Sequence, residues 1–337
     1  MKLILDAFGG DHAPEEIVKG GILALEADPA LKLVLTGKGE TLTGLLSAAD
    51  PGIRARTEVV DAPEVITNDE SPTEAVRAKK NSSLVRAFER LKEDPEIGGL
   101  VSAGSTGAVL TAGLFKLGRI RGVNRPALAP LLPTLTGGQV ALVDCGANVD
   151  CKPLNLCQFA LMGGAYVKAY CGVKEPRVAL LSNGTEDKKG NELNKEAFPL
   201  LKALPGIRFV GNMEARELLS GDFDVAVTDG FAGNICLKSY EGMAKAMMTL
   251  LKEEMLSSFK NKMGAMLLKG GFKKVAKRMD YASNGGALLV GLTKVVVKSH
   301  GSSKAVTISS SLLQAKKLAE SGMVDEIAAN LAATAAE

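Results

Sequence analysis

Five short apolar runs of the chain each lead directly into a polar turn that contains glycine. The turns hold Asp, Asn, Ser, Thr, Lys and His side chains, which can bind anions or move protons. Glycine lets backbone amides approach an anion, and the start of a following helix adds partial positive charge. The pattern therefore predicts a site for a phosphate-like group. The turns comprise residues 6–14, 102–108, 144–153, 182–192 and 228–234.

The first turn carries one of the two histidines of the chain, with Gly10, Asp11 and His12 in succession. Because the unperturbed pKa of His lies near neutrality, His12 can act as a general acid or base. It can equally donate a hydrogen bond to a phosphate oxygen. A surface loop ahead of a helix that starts near Pro14 is the third alternative.

The second turn is a run of small residues before an Ala- and Leu-rich helical pattern. The Ser105 and Thr106 hydroxyls, with the exposed amides up to Gly107, suit phosphate. The turn is not a P-loop, because the Lys after the second glycine is missing, and it lacks the Gly-x-Gly-x-x-Gly dinucleotide pattern. Ordinary helix N-capping by Ser105 is the alternative.

The third turn contains Asn148, a further candidate phosphate contact, between the thiols of Cys145 and Cys151. A nucleophilic thiol needs a base, usually His, and none lies nearby in the sequence. A free Cys is more often a small buried hydrophobic residue, so the sequence favours structural roles for both thiols.

The last two turns offer a cation and an amide. Lys189, followed by Asn191, lies in a charge-dense segment. This segment is either a solvated turn or a place where Lys attracts phosphate or a developing oxyanion. Asn234 can donate its amide hydrogens to a carbonyl oxygen, or it can be an ordinary helix N-cap.

Strand-like runs alternate with helical patterns up to about Leu237, which predicts a mostly parallel sheet covered on both faces. Since no linker divides the chain, we expect one catalytic domain over residues 1–330 and a tail over 331–337. The expected strands centre on residues 3–5, 33–35, 58–60, 99–101, 140–143, 178–181 and 225–227, with a strand-like segment at 288–297. The expected helices span residues 14–27, 71–92, 106–117, 156–170, 191–204, 213–218 and 304–320.

Residues 240–279 predict a long amphipathic helical stretch that breaks near Gly270 and Gly271. Between Lys260 and Arg278 there are seven basic residues and no acidic one. The stretch can bind an anionic membrane surface, form a helical dimer interface, or be a core helix with a solvated basic face. The candidate membrane contacts are Met255, Phe259, Met263, Met266, Leu267, Lys269, Lys273 and Lys274.

The composition is that of an ordinary globular chain, with 46% hydrophobic residues, 23% charged residues and a net charge of +3 over 337 residues. The small net charge and the absence of Trp argue against a nucleic-acid partner. Five irregularly spaced cysteines with two histidines argue against zinc, and we expect no cofactor. No secretory signal or apolar stretch of about 20 residues is evident, so we expect a reduced, cytoplasmic protein.

Seven segments resemble, in the same order, motifs of the bacterial phosphate acyltransferases of phospholipid synthesis. They occur in the order of the family between Leu3 and about Glu320, so the resemblance covers nearly the whole chain. Phe8, Ser105 and residues 182–184 depart slightly from the family pattern. The segments are residues 6–14, 102–108, 144–153, 189–192, 229–234, 280–281 and 300–303.

The resemblance implies a homodimer with a three-layer α/β/α fold, similar to isopropylmalate dehydrogenase and phosphotransacetylase, and with a protruding amphipathic helical hairpin at about 247–277. It implies transfer of a long-chain fatty acyl group from acyl-carrier protein to inorganic phosphate. The resulting acyl phosphate would serve a downstream membrane glycerol-3-phosphate acyltransferase. Lys189 and Asn234 match the catalytic residues of the family. The implied location is the cytoplasm, peripherally on the inner face of the cell membrane.

Three other functions fit parts of the sequence. A phosphotransacetylase-like enzyme would use acyl-CoA and phosphate. A dehydrogenase of the related fold would need a nucleotide fingerprint and metal-binding aspartates, and the sequence contains no such set. A membrane-binding scaffold would use the basic stretch alone and would leave the glycine turns without a purpose.

Overall fold

The computed structural model describes residues 1–279 and 285–335. The motif Asp280-Tyr281 and the last two residues of the predicted tail lie outside the described residues. The described strands are β1 (Lys2–Asp6), β2 (Lys32–Gly37), β3 (Thr57–Asp61), β4 (Ile97–Ser102), β5 (Ala127–Ala129), β6 (Leu131–Pro133), β7 (Gln139–Val143), β8 (Arg177–Ser182), β9 (Arg208–Glu214), β10 (Val225–Val227), β11 (Ala287–Val290) and β12 (Val295–Lys298).

The helices lie between and after these strands, and most follow a strand directly. A π-helical turn, Gly113–Leu117, extends the sixth helix. The described helices are α1 (Glu15–Ala27), α2 (Gly39–Leu46), α3 (Pro51–Arg54), α4 (Pro72–Ala78), α5 (Ser83–Glu93), α6 (Thr106–Ala112), α7 (Pro153–Cys171), α8 (Glu192–Ala203), α9 (Gly230–Leu256), α10 (Phe259–Met279), α11 (Ala305–Glu320) and α12 (Met323–Ala335).

The strands form two sheets, which confirms the mostly parallel α/β fold but divides it in two. The first sheet has the order β3-β2-β1-β4-β12-β11-β5, and only the pairs that include β11 are antiparallel. The second has the order β6-β7-β10-β8-β9, and only β6 is antiparallel to its neighbour. The carboxyl ends of the parallel strands therefore form two edges at which ligands can bind.

The chain passes from the first sheet to the second at Pro130, between β5 and β6. Asp144, directly after β7, connects the sheets, because its carboxylate accepts a hydrogen bond from the Leu128 N–H in β5 at 2.8 Å. The Cys145 N–H donates to the Leu128 carbonyl oxygen at 2.9 Å. These bonds hold the end of β7 against the edge strand of the first sheet.

Helix α7 forms the centre of the structure. Its residues from Asn155 to Val167 are all buried, as expected for a helix that is apolar on all sides. It packs against α8, α11 and α12, and against strands of the second sheet. The Tyr166 hydroxyl, fully buried, accepts a hydrogen bond from the Gln314 amide of α11 at 2.7 Å.

Two predicted helices differ in the structure. The helix predicted over residues 71–92 is split into α4 and α5, because Ser82 starts a new helix and its hydroxyl accepts from the Val85 N–H at 3.4 Å. The helix predicted over residues 213–218 is wrong, since β9 continues to Glu214 and only a short 3-10 turn, Ala215–Glu217, follows.

The C-terminal third also differs from the prediction. The break predicted at Gly270 and Gly271 lies instead at Ser257, where α9 ends, and α10 runs through both glycines. The strand-like segment 288–297 is two antiparallel strands, β11 and β12. Residues 331–335 of the predicted tail continue α12, and Leu331 is buried in the core.

Helices α9 and α10 expose large apolar side chains. Phe259 and Leu267 are 80% and 84% exposed, and Met263 and Met266 are exposed as well. Among the described residues, no helix combines the length and the hydropathy that crossing a bilayer requires.

Candidate active site

Three turns that follow adjacent parallel strands of the first sheet are joined by hydrogen bonds. The Asp11 N–H after β1 donates to the Gly301 carbonyl oxygen after β12 at 2.8 Å. The Ser102 hydroxyl at the end of β4 donates to the Asp6 carboxylate at 2.7 Å, and the Ser102 carbonyl accepts from the Ser299 N–H at 2.9 Å. The turns predicted at 6–14 and 102–108 therefore meet, and residues 299–303 join them.

Two glycines make this convergence sterically possible. A Cβ on Gly9 would lie 2.6 Å from the Asp6 carboxylate and 2.7 Å from the Gly104 nitrogen. Gly10 has φ +106°, and a Cβ there would lie 2.9 Å from the Ala103 Cβ. Both positions therefore exclude a side chain.

In the second sheet, the turn after β7 packs against the start of α9. The Asp144 carboxylate holds this turn by accepting from the N–H groups of Ala147 and Asn148 at 3.2 and 2.7 Å. Burial raises the pKa of the Asp144 carboxyl, and these hydrogen bonds act in the opposite direction. A Cβ on Gly233 of α9 would lie only 1.9 Å from the Asp144 carbonyl oxygen, so helix and turn are in direct backbone contact.

Asn234 lies within α9 and faces the gap between the two sheets. Asp229 is the N-cap of α9, and its carboxylate accepts from the Ala232 N–H at 2.8 Å. The N-cap alternative for Asn234 is therefore excluded. The Asn234 side chain lies over Gly146, where a Cβ would be 3.7 Å from its carboxamide carbon and oxygen.

A cavity of about 290 Å³ lies between the two sheets, in front of Asn234. Its walls come from both sheets and from α6, α9 and α11, so that residues far apart in the chain face one space. The apolar wall includes Leu128, Leu131 and Leu237. The polar and charged wall includes Thr106, Asn234, Lys238, Glu241, Lys298 and His300.

Two ammonium groups, of Lys238 and Lys298, and the His300 imidazole share this cavity. The pKa of the Lys298 ammonium is lowered to about 8, first by burial and then by the positive charge of Lys238. The pKa of His300 is lowered by partial burial and then by Lys298 and Lys238. Asp11 acts on both groups in the opposite direction, and Glu241 does so on His300. A bound anion would stabilise the charged forms of Lys298 and His300.

Hydrogen bonds define the tautomer of His300. The Ser302 N–H, which can only donate, lies 3.3 Å from His300 Nδ1, and the Ser302 hydroxyl lies 2.9 Å from the same atom. Nδ1 is therefore an acceptor, and the proton of the neutral ring is assigned to Nε2. In this state His300 has a hydrogen-bond donor left at Nε2.

Of the residues predicted in the second turn, Thr106 lines the cavity. Ser105 precedes it and is the N-cap residue of α6, as the alternative for this turn predicts, but its hydroxyl makes no capping hydrogen bond to the helix. Gly107 lies against Pro72, where a Cβ would be 2.7 Å from the proline ring.

No residue of the first turn lines the cavity. Gly10 serves the close packing described above, and Asp11 acts electrostatically on Lys298 and His300. His12 is exposed and is not among the lining residues.

Asn148 is 5% exposed, and its amide is engaged within the protein. Nδ2 donates to the Pro126 carbonyl oxygen at 2.8 Å and to the Asp144 carboxylate at 3.0 Å. Both amide hydrogens are thereby used, which supports the turn after β7 and leaves no side-chain donor for phosphate.

Neither Lys189 nor Asn191 lines the cavity. Lys189 is exposed, and Asn191 is the N-cap of α8, with Oδ1 accepting from the Asn194 N–H at 2.9 Å. Asn191 lines a second, more open hollow together with Phe231 and Ile235 of α9, neither of which lines the cavity in front of Asn234. Within one chain, the structure does not bring Lys189 and Asn234 into the same cavity.

The thiols are unsuited to nucleophilic attack. Burial raises the pKa of Cys145 far above its usual value and that of Cys151 to about 11, so both remain protonated at neutral pH. Among the residues that the structure describes, no three His, Cys, Asp or Glu side chains are grouped so that they could hold a metal ion.

The sequence prediction missed Lys238, Lys298 and His300 as site residues. The signal that could have found them is the same rule that identified the other turns. Lys298 ends a strand and His300 follows it. Because residues 288–297 were predicted as a single strand-like segment, the end of β12 and the turn after it were not recognised.

Comparisons with known proteins agree with the α/β architecture and indicate the chemistry. A family model described as "Fatty acid synthesis protein" matches residues 1–326. A phosphate acyltransferase from Halalkalibacterium halodurans is 49% identical over 318 residues, which cover 94% of this chain and 93% of the relative. A phosphate acyltransferase from Thermoanaerobacter pseudethanolicus is 46% identical over 327 residues, 97% of this chain and 96% of the relative.

Among solved structures, a phosphotransacetylase from Streptococcus pyogenes has a TM-score of 0.64 at 17% identity. The match covers 95% of this chain and 94% of that one. At this level of identity the similarity shows the fold alone.

Proposed function

The chain belongs to the phosphate acyltransferase family, and on that premise we propose that it transfers a long-chain fatty acyl group from acyl-carrier protein to inorganic phosphate. The observation that carries the proposal is the cavity between the sheets, where the Asn234 amide faces a wall of cations. An apolar wall on the same cavity suits the acyl end of a thioester.

The reaction requires the phosphate and the thioester to be aligned, and it needs no covalent acyl-enzyme intermediate. An oxygen of HPO₄²⁻ attacks the thioester carbonyl carbon, the C–O bond forms and the C–S bond breaks. The proton of the phosphate ends on the carrier's thiol sulfur, so the products are an acyl phosphate dianion and a free thiol. Phosphate is already a nucleophile and a thioester is already activated, so positioning and oxyanion stabilisation suffice.

In this proposal the Asn234 amide donates to the thioester oxygen as negative charge develops on it. Thr106, at the cavity wall, offers a hydroxyl to the phosphate. Lys189 offsets negative charge at the reacting centre, as the family resemblance implies. Since Lys189 does not line the cavity, its role requires a movement of the 182–192 turn or a second copy of the chain.

Phosphate-dependent formation of acyl phosphate tests the proposal. Purified protein is incubated with radiolabelled inorganic phosphate and a long-chain acyl-acyl-carrier protein, and label is measured in the lipid extract. Label transfer is expected with the carrier-linked donor. Transfer from acyl-CoA alone would favour the phosphotransacetylase-like alternative, and no transfer from either donor would refute the activity. If Lys189→Ala left transfer near wild type, Lys189 would be removed from the mechanism.

We also propose that the enzyme is cytoplasmic and associates peripherally with an anionic membrane. The support is the exposure of Phe259, Met263 and Leu267 on α10, together with the exposed Lys269 and Lys273. Such a location would place the acyl phosphate near a membrane acyltransferase that uses it to acylate glycerol 3-phosphate. A homodimer formed through the exposed apolar faces of α9 and α10 is the competing use of the same surface.

A further inference from the structure

Lys294 and Lys298 lie at the two ends of β12, and their ammonium groups have opposite surroundings. Lys294 Nζ donates to the carbonyl oxygens of Leu91, Asp94 and Ile97 at 2.8, 2.9 and 2.9 Å. The Lys294 ammonium is therefore stabilised by backbone carbonyl oxygens of the fold. Lys298 is partly buried at the cavity wall, and no residue that the structure describes accepts a hydrogen bond from its ammonium or forms an ion pair with it.

A partly buried ammonium without an acceptor is costly in a structural role. Removing a cation from water costs free energy unless an opposite charge or hydrogen bonds compensate. For Lys294, three carbonyl oxygens compensate. For Lys298, the compensation has to come from a bound group. Because the ammonium is positively charged and only donates hydrogen bonds, that group should be an anion.

A further cation and an imidazole line the same cavity. Lys238 is on α9, one helical turn after Asn234, and His300 follows the end of β12. Glu241 is bonded to Lys238 at 2.8 Å, so it offsets that charge first. The cavity therefore has an excess of positive charge beside the amide that faces the reacting carbonyl.

We propose that inorganic phosphate, the acyl acceptor, binds between the Lys298 ammonium and the His300 imidazole, with the Lys238 ammonium as a second cation. Only the name of the acceptor rests on the proposed function, since the site itself is defined by its charges and donors. Lys298 donates to one phosphate oxygen and His300 Nε2–H to another. A third oxygen is then free to attack a thioester carbonyl held by Asn234.

Calorimetric titration of inorganic phosphate into the full-length protein, without any acyl donor, tests the site directly. Lys298→Met should weaken phosphate binding by roughly ten- to a hundredfold, since a hydrogen bond to a charged group is lost. Lys304→Met is the matched control, because Lys304 is exposed a few residues away and does not line the cavity. It should bind phosphate like the wild type.

Steady-state kinetics separate phosphate binding from a general loss of structure. Lys298→Met should raise the KM for phosphate while the KM for the acyl donor stays unchanged, and Lys298→Arg should restore most of the phosphate affinity. His300→Ala changes an exposed side chain, so it provides a folded second variant that should also weaken phosphate binding.

The two proposals fail separately. Phosphate affinity equal to the wild type in both Lys298→Met and His300→Ala would overturn this site, even if the wild type makes acyl phosphate. Conversely, phosphate binding that depends on Lys298 in a protein that transfers no acyl group would support the site and remove the proposed function.

Discussion

At the scale of single residues, Asn234 shows how position in a helix decides between structural and chemical roles. Five residues after the N-cap Asp229, its amide is no longer needed by the helix terminus. The side chain lies instead over Gly146 at the cavity wall. An amide with free donors beside cations is suited to an oxyanion that develops during acyl transfer.

Asn234→Ala should lower kcat for acyl phosphate formation roughly a hundredfold or more, because one oxyanion donor is lost. The phosphate KM should change little, since the cations remain. Asn234→Asp keeps the shape but removes the donor, and it should be as slow. A wild-type kcat in the Ala variant would contradict the oxyanion role.

Lys298 should give the reaction an alkaline limit. Its pKa is lowered to about 8 by burial and by Lys238, while Asp11 opposes this shift, and His300 and Glu241 face the same cavity. The ammonium is charged below its pKa, so kcat/KM for phosphate should fall as the pH rises through about 8. In Lys298→Arg the side chain stays charged, and the fall should move to higher pH. An unchanged profile in that variant would assign the limit to another group.

The site residues that the sequence predicted correctly lie in turns after strands, and their side chains are not used up by contacts within the fold. Thr106 and Asn234 both line the cavity, as turns after β4 and β10 allow. Asn148 has the right position in the chain, but its donors serve Asp144 and Pro126, which only the three-dimensional structure shows. His300 and Asn234 follow strands of different sheets and line the same cavity only because the two sheets meet. No local sequence pattern contains that information.

At the scale of elements, α9 is the part that aligns the site. It starts against the Asp144 turn and contributes residues both to the cavity and to the hollow near Asn191. Its first turns therefore determine where Asn234 and Lys238 lie.

Two glycines of α9 provide a matched test of this contact. Gly233→Ala should destabilise the protein by about 1–3 kcal/mol and lower activity, because its Cβ would overlap the Asp144 carbonyl oxygen. Gly242→Ala has open space around the new Cβ and should be neutral, or stabilise by about 0.5–1 kcal/mol through helix propensity. Urea denaturation of both variants checks the difference. Equal effects would show that α9 is not held by this contact.

Helices and strands were predictable where a single hydrophobic periodicity dominated the sequence. The strands of the sheet centres and α1, α7, α8 and α11 follow their predicted ranges closely. The helix predicted over 213–218 failed because the residues after Arg208 continue an edge strand that pairs with β8, a tertiary contact. The glycines at 270 and 271 did not break α10, since each glycine weakens a helix by about 1 kcal/mol and does not by itself end it.

At the scale of the whole molecule, the second sheet is the feature that the sequence did not reveal. Both sheets consist of the same alternating units, and the crossing point at Pro130 lies between two strands of three residues each. Strands that short leave almost no periodic signal. The cavity exists because the sheets meet, so its full lining could not be predicted without this arrangement.

The exposed helices α9 and α10 give the molecule a surface whose use can be measured. Replacing three exposed lysines of α10 by Glu should release the protein from anionic vesicles, because each Lys near such a surface contributes about 1 kcal/mol. The substituted residues are Lys269, Lys273 and Lys274.

A charge-matched control replaces three exposed lysines of the first sheet and its helices by Glu, and it should still co-sediment. The control residues are Lys19, Lys32 and Lys92. Unchanged co-sedimentation of the α10 variant would instead favour a dimer interface, which analytical ultracentrifugation would show.

The location of bound phosphate is the measurement that tests the account most directly. A crystal structure of the active enzyme with inorganic phosphate should show the anion in the cavity between the sheets, bonded to Lys298 and His300 and beside Asn234. Phosphate bound instead at the 182–192 turn, with the cavity unfilled, would contradict it.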